Sequence, residues 1–126
     1  MNIKIASETT GVSPDTIRYY ERIGMIPPVK RSKGGIREFE EEDLRWIKFS
    51  RQMRNAGLSI ENLIEYLSLF REGDETVLVR KQLLAEQIEE LKGKAKDINE
   101  ALSRLEYKLE HYDNHLKPFE NGLRNK

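Results

Sequence analysis

The hydrophobic positions of this chain form two different helical patterns, one in each part of the sequence. Up to about residue 72, apolar side chains recur in short groups at three- and four-residue steps, and glycine or proline separates the groups. This pattern predicts several short amphipathic helices around one small core. From about residue 74, a regular seven-residue repeat continues for roughly forty residues and predicts one long helix. The pattern therefore indicates a mainly α-helical chain.

One helix in the first part, from Ser13 to Gly24, carries clear start and stop signals. Ser13 suits the N-cap, Pro14 the first helical position, and Gly24 a left-handed exit. A turn of about 100° per residue directs Ile17 and Tyr20 towards a core. Arginine pairs with guanine or phosphates and tyrosine hydroxyls reach phosphates, so the opposite face is a candidate DNA-binding surface. An ordinary solvated face is the alternative. The candidate contacts are Asp15, Thr16, Arg18, Tyr19 and Arg22.

A shorter helix is predicted before it, over about residues 3–10, and Gly11-Val12-Ser13 forms a tight link between the two. A helix, a glycine-containing turn and a second helix make up the helix-turn-helix motif, whose second helix enters a DNA major groove. Glycine turns also join ordinary helix pairs, so the spacing alone leaves that alternative open.

A basic segment follows Pro27-Pro28, which end the helical pattern. Residues 29–39 read as two short strands around a glycine-bearing tip, a ribbon that must pack on the helices to be stable. Its cations would hold the phosphates beside the groove, and a mobile basic loop is the alternative. The candidate contacts here are Lys30, Arg31, Lys33 and Arg37.

The next helix is predicted to lie at the centre of the small domain. Four acids at 40–43 fall in its first turn, where the helix dipole favours negative charge. Leu44 and Ile47 face one side and Trp46 and Phe49 another, so both sides can be buried. At its end, Arg54 is either a DNA contact or an ordinary helix-end cation, and the residues leave both readings open. A further helix is predicted after residue 59.

The long helix has a narrow apolar seam that a small domain cannot cover along its whole length. A strict 3.5-residue repeat indicates a left-handed coiled coil, and the segment from about Asp74 to Tyr112 would be about 60 Å long. The expected partner is a second copy of the chain. A hairpin within one chain is the alternative, but no turn signal interrupts the run, since Gly93 stands alone between two lysines and costs only about 1 kcal/mol. The predicted interface residues are Leu84, Ile88, Leu91, Ala95, Ile98, Leu102, Leu105, Leu109 and Tyr112.

The amino-acid composition limits the classes of function that this chain can have. The 126 residues carry 22 basic and 22 acidic side chains, yet the first 57 hold 11 basic against 8 acidic ones, a mild asymmetry typical of a part that meets nucleic acid. There is no cysteine, which excludes disulfides, thiolate metal sites and thiol redox switches. No nucleophile, base and orienting group occur at a recognisable spacing, so we expect no enzyme and no cofactor.

Hydropathy points to a cytoplasmic protein with no membrane partner. The N-terminus lacks a basic-then-apolar signal pattern, and no apolar run approaches the ~20 residues that span a bilayer.

The run from Thr16 to Pro28, with Gly34-Gly35-Ile36-Arg37-Glu38-Phe39 and Asp43-Leu44, closely resembles the signature of the MerR family of bacterial transcription regulators. The resemblance covers about residues 3–72, and the long helix fits the family plan. It implies a winged helix-turn-helix DNA-binding domain over residues 1–73. It further implies a dimerisation helix in an antiparallel coiled coil over residues 74–116 and a short tail over residues 117–126.

The resemblance also implies roles for particular residues. In MerR-like proteins both tyrosines of the pair lie near the DNA backbone, so Tyr20 joins the candidate contacts although the helical wheel buries it. Residues 54–59 correspond to the second wing, with Arg54 near the operator centre. An aromatic residue usually stands where this chain has Ile36, whereas Arg37 matches the family.

As a function, the resemblance implies a homodimer on a pseudo-palindromic operator within double-stranded promoter DNA. In this family the activated dimer bends and untwists an overlong promoter spacer, so that RNA polymerase is engaged indirectly through the promoter. Such shape readout uses deformation energy rather than additional base contacts.

The inducing signal stays open. The pattern around residues 53–61 is closest to the aldehyde- and electrophile-responsive branch, whose members commonly use a cysteine near Gln52, and this chain has none. Little sequence follows the long helix, so we expect no large effector domain. His111 and His115 are four apart and could chelate a metal, but a third ligand is missing and we predict no metal site.

Two other functions fit parts of the sequence. Excisionase-like architectural proteins use related winged heads but generally lack a long dimer helix. A coiled-coil scaffold without a role on DNA would leave the face of Arg18, Tyr19 and Arg22 unexplained. We therefore expect a DNA-binding transcription regulator.

Overall fold

The computed structural model describes residues 1–125 and consists almost entirely of helices. The chain divides into two compact units, Met1–Ile88 and a second unit that begins at Glu89. The helices are α1 (Ile3–Thr10), α2 (Pro14–Ile23), α3 (Glu41–Asn55), α4 (Ile60–Glu72), a 3-10 turn (Asp74–Thr76), α5 (Val77–Glu110), a π-helical turn (Tyr112–Leu116) and α6 (Lys117–Arg124).

Helices α1 and α2 form the predicted helix-turn-helix, and their ends follow the local sequence. The Asn2 side chain caps α1 by accepting from the amide of Ile5 at 2.9 Å. The Ser13 hydroxyl caps α2 by accepting from the amide of Thr16 at 3.2 Å. Gly24 ends α2 with φ 85°, in the left-handed region that favours glycine. The predicted capping of this helix is confirmed.

The core of the first unit lies where α1, α2 and α3 meet. Ile17 and Ile47 are completely buried there, and Ser50 of α3 donates to the carbonyl of Met25 at 3.1 Å. The backbone of Phe39 exchanges two hydrogen bonds with Met1, which tie the segment before α3 to the start of α1. The buried cluster comprises Ala6, Val12, Ile17, Tyr20, Met25, Ile26, Val29, Phe39, Leu44, Ile47 and Leu63.

Helix α3 is buried on two sides, as its sequence predicts. Leu44 and Ile47 face the core, while Trp46 packs edge-on against Phe70 of α4 at 5.5 Å between ring centroids. Phe49 contacts Tyr66 of α4 at 6.5 Å. The helix therefore holds α4 on the side opposite the helix-turn-helix.

The two strands predicted for residues 29–39 are not present. Within the described part of the chain, the β-pairing at this place is one isolated antiparallel bridge between Arg31 and Arg37. Backbone hydrogen bonds from Ser32 to Ile36 and from Glu38 to Lys30 close a loop around the Gly34-Gly35 tip. A two-stranded ribbon without further strands is only marginally stable in water, so little pairing is formed here. Its description as a wing stays a prediction.

The long predicted helix is continuous over Val77–Glu110. Beyond it the backbone makes a π-helical turn, and the predicted tail contains the short helix α6. None of the helices in residues 1–125 is long and apolar enough to cross a bilayer. The structure does not test the predicted domain boundary at Gly73.

We expect Gly11→Ala to lower the free energy of unfolding by about 1–2 kcal/mol, since Gly11 has φ 74°, which an L residue adopts only with strain. A Cβ at this position would also lie against the guanidinium of Arg51, which donates to the carbonyl of Thr10. Urea denaturation measures the change. The control is Gly34→Ala, where the backbone is not left-handed and the nearest atom, on Ser32, is 3.9 Å away. Equal stabilities of the two variants would contradict the prediction.

Candidate nucleic-acid interface

The outward face of α2 presents the predicted cations and phenol to solvent. Arg18 lies 3.0 Å from the carboxylate of Asp15, one turn earlier, in an exposed pair. The guanidinium of Arg22 sits over the ring of Tyr19 at 5.4 Å. Thr16 is held at the start of the helix, where its hydroxyl accepts from that of Ser13. An exposed i,i+3 ion pair is worth little, so Arg18 can leave Asp15 for a stronger anion at small cost.

Tyr20 lies on the other side of α2, as the helical wheel predicts. It is 8% exposed in the core beside Ile17. Burial raises the pKa of the Tyr20 phenol above its ordinary value, although Arg54 and Arg51 nearby oppose the shift. The phenol is therefore neutral at physiological pH. A contact of Tyr20 with DNA stays a prediction.

The basic loop, residues 29–39, holds its four candidate cations in different ways. Arg31 donates to the carbonyl of Gly35 at 2.9 Å across the loop. Lys30 and Lys33 are exposed, with Lys33 beside the glycines of the tip. Arg37 is the least exposed of the four and is turned inwards to α2. The loop thus presents two exposed lysines, whereas its two arginines are held by contacts with Gly35 and Glu21.

Glu21 of α2 joins this loop to the helix, a role that the sequence analysis missed. Its carboxylate accepts from the amide of Val29 at 2.6 Å and from Nε of Arg37 at 2.6 Å, and Nη2 of Arg31 lies 3.9 Å away. Burial opposes ionisation, but these donors outweigh it and hold the pKa of Glu21 below its ordinary value. The available signal was an acid next to the buried Tyr20 and before a run of cations.

A small cleft separates α2 from the basic loop and collects the arginines. It has a volume of about 180 Å³ and is lined by Asn2, Ile3, Arg18, Arg31, Gly35, Ile36 and Arg37. Ile36, where the resemblance expects an aromatic residue, is 67% exposed at its edge. Arginines from α2 and from the basic loop therefore line one cleft.

Arg54 has a structural partner. Its Nη1 donates to the carbonyl of Leu58 at 2.6 Å and closes the turn between α3 and α4. This hydrogen bond gives Arg54 a structural role that does not require DNA. The predicted contact of Arg54 with the operator is not tested by it.

The predicted seam of α5 is largely uncovered in the single chain. Within the first unit, α5 buries Leu83 and Gln87, which lie outside the repeat. Leu84 and Leu91 are half-buried, and Ala95 is exposed. The larger exposed seam residues are Ile88 at 52%, Ile98 at 66%, Leu102 at 51%, Leu105 at 65%, Leu109 at 79% and Tyr112 at 41%. A row of exposed aliphatic side chains on one face is the surface that a second helix would cover.

The rings of Tyr107, His111 and His115 lie in a row at the end of α5 and are tilted against one another. The ring centroids of Tyr107 and His111 are 4.3 Å apart, and those of the two histidines 5.5 Å. Among the residues that the structure describes, no group of three or more His, Cys, Asp or Glu could hold a metal ion.

We expect the stability of the first unit to depend on the charge of Glu21. Its folded-state pKa lies below the ordinary 4.5, so its contribution is full above pH 4.5 and is lost as the pH falls through the folded pKa. Wild type should therefore lose more stability than Glu21→Gln between about pH 5 and about pH 3. Urea denaturation across this range measures both. Parallel losses in the two proteins would contradict the prediction.

Comparison with known proteins agrees with this geometry. Residues 1–69 match the family described as MerR HTH family regulatory protein. The HTH-type transcriptional regulator AdhR of Bacillus subtilis is 56% identical over 91 residues, which are 72% of this chain and 65% of that protein.

Solved structures give the same result over more of the chain. A chain assigned to the MerR family of transcriptional regulators, from Listeria monocytogenes, superposes with TM-score 0.88 and 58% identity over 99% of this chain and 95% of its own. HiNmlR, a MerR family regulator lacking the sensor domain and bound to promoter DNA, superposes with TM-score 0.81 and 30% identity over 89% of each chain. The α1–α2 motif, the match of residues 1–69 and the similarity to AdhR together establish that this chain belongs to the MerR family of helix-turn-helix transcription regulators.

Proposed function

We propose that this chain is a transcription regulator that binds promoter DNA as a homodimer through the outward face of α2 and the basic loop. The observation that carries the proposal is the convergence of Arg18, Arg31 and Arg37 on one cleft beside the exposed Tyr19 and Arg22. Guanidiniums in a fixed cleft are the groups that bind phosphates and guanine edges best.

The contacts divide into two kinds by their position. We assign Arg18 and Arg22, at the exposed face of the recognition helix, to the major groove, with Asp15, Thr16 and Tyr19 beside them. The loop cations hold backbone phosphates, which fix the position of the protein on the duplex but do not read bases directly. The remaining proposed DNA contacts are Tyr20, on the side of α2 that faces α3, and Arg54, in the last turn of α3. The phosphate contacts of the loop are Lys30, Arg31, Lys33 and Arg37.

A second copy completes the DNA-binding unit. We propose that residues 1–73 bind DNA and residues 74–116 pair with the same segment of a partner in an antiparallel coiled coil, followed by the tail of residues 117–126. The exposed seam supports this, since a row of aliphatic residues along α5 is otherwise left in water. Because the dimer would carry two identical DNA-binding domains, we expect a pseudo-palindromic operator with half-sites one or more helical turns apart.

The action on the promoter follows from such a dimer. HiNmlR, similar over 89% of this chain, is itself bound to promoter DNA. We propose that this chain distorts its promoter in the same kind of complex and engages RNA polymerase indirectly through the DNA. It is then a cytoplasmic regulator and not an enzyme, a proposal that the transcription regulators among its relatives support.

The test is a footprint of the purified full chain on the promoter region upstream of its own gene. We expect protection of a near-palindrome inside a promoter spacer, and binding that weakens steeply with salt. A random fragment of equal length is the control. Equal protection of both fragments would show a non-specific DNA binder, and no protection at low salt would overturn the proposal.

A further inference from the structure

We propose that Glu21 is a positioning residue that fixes the basic loop against the recognition helix and thereby sets the operator preference. The inference rests on the proposed function, because it concerns the same DNA-binding surface. It concerns an acid, which by charge alone would repel DNA.

The contacts of Glu21 reach both ends of the loop. One carboxylate oxygen accepts from the amide of Val29, where the loop begins, at 2.6 Å. The other accepts from Nε of Arg37, near its end, at 2.6 Å and lies 3.9 Å from Nη2 of Arg31. The side chains of Glu21 and Arg37 are only 12% and 22% exposed. A single group therefore holds three points of the loop to α2.

The loop needs such an attachment because its own structure is slight. It contains one isolated bridge, and its internal backbone bonds close it only on itself. A short two-stranded ribbon is marginally stable in water and takes its orientation from what it packs against. Val29 and Phe39 are buried at its two ends, but the residues between them are mostly exposed. Glu21 of α2 binds two residues of this part, Arg31 and Arg37.

The attachment decides where the guanidiniums of the cleft lie. Arg31 and Arg37 contact Glu21 and line the cleft, and Arg18 lines it from α2 itself. Fixing the loop arginines in advance reduces the ordering cost of binding DNA, provided that the DNA presents its phosphates at the matching distance. The fixed loop therefore increases the affinity for the operator. Random DNA binds through charge alone, so its affinity changes little when the loop is displaced.

The two roles open to an acid at this place predict opposite signs. A carboxylate that merely lies near DNA repels phosphates, so its removal would tighten binding to operator and random DNA alike. If the carboxylate positions the loop, its removal should weaken binding to the operator, because the loop is then released from α2.

The experiment compares Glu21→Gln with Glu38→Gln in the full-length protein. Glu38 is an exposed acid in the same loop, so both variants change the net charge equally. Fluorescence anisotropy gives the Kd for the footprinted promoter fragment and for a random fragment over a series of salt concentrations. Thermal unfolding of each variant shows that the fold is kept.

We expect Glu21→Gln to weaken operator binding about 10-fold, the size of coupling within one ion-pair network, with random DNA unchanged or bound slightly tighter. Glu38→Gln should leave the ratio of the two affinities within about twofold, as for a surface substitution outside such a network. If Glu21→Gln changes the ratio no more than Glu38→Gln, or tightens both complexes, the inference is wrong.

A second variant covers a failure of Glu21→Gln to fold. Arg37→Lys keeps the charge but loses the hydrogen bond from Nε to Glu21. It should therefore lower the ratio of operator affinity to random-DNA affinity and leave the salt dependence of binding to random DNA unchanged. An unchanged ratio for Arg37→Lys would also overturn the inference. Wild type that binds operator and random DNA equally would instead refute the proposed function, so the two failures are distinguishable.

Discussion

Arg18→Ala should weaken binding to the promoter fragment about 10–100-fold, because one bidentate contact to a base discriminates by about 1–3 kcal/mol. Arg18 is exposed on α2, and in the free protein it pairs with the exposed carboxylate of Asp15. That pair contributes little to stability, so the variant should fold like wild type. Random DNA should lose much less affinity. Anisotropy titrations on both fragments measure the difference.

Two variants serve as controls for Arg18→Ala. Arg45 of α3 makes the same kind of exposed i,i+3 pair, with Glu42 at 2.7 Å, and Arg45→Ala should leave both affinities nearly unchanged. Lys33→Ala, at the loop tip, should weaken both DNAs similarly and reduce the salt slope by about 1. Small and equal losses for Arg18→Ala on the two fragments would count against entry of α2 into the groove.

Leu105→Glu should convert the dimer to monomers and abolish tight promoter binding. Covering one leucine stabilises by about 1.5–3 kcal/mol, and a symmetric dimer contains each seam residue twice, so dimer affinity should fall by roughly 10²–10⁴-fold. Two DNA-binding heads would then act separately on the two half-sites. Sedimentation velocity at micromolar concentration measures the oligomeric state.

The matched control is Leu78→Glu in the same helix. Leu78 is 80% exposed and lies outside the seven-residue repeat, whereas Leu105 is 65% exposed and lies within it. Exposure in the single chain therefore predicts nearly equal, small effects for the two variants. Only pairing through the seam predicts a monomer for Leu105→Glu alone, and a stable dimer in that variant would refute the coiled coil.

The helices and their inner faces could be predicted from the sequence because the signals are local. Ser13, Pro14 and Gly24 act on the backbone within a few residues, and the wheel alone indicates that Ile17 and Tyr20 are buried. The structure of residues 29–39 could not be predicted in this way, and the two strands expected there are replaced by one isolated bridge. Basic residues and glycines indicate a turn between extended segments but not how many ladder bonds form.

The sequence by itself thus determined the helix-turn-helix, the two-sided central helix and the regular seam of α5, since spacing along one helix fixes which residues share a face. Only the tertiary structure decided the partners of charged groups that lie far apart in the sequence. Glu21 meets Arg37 across 16 positions, and Arg51 meets the carbonyl of Thr10 across 41. Such contacts depend on how separate elements pack. From the sequence alone, a charged side chain is expected at the surface, and its distant partner cannot be identified.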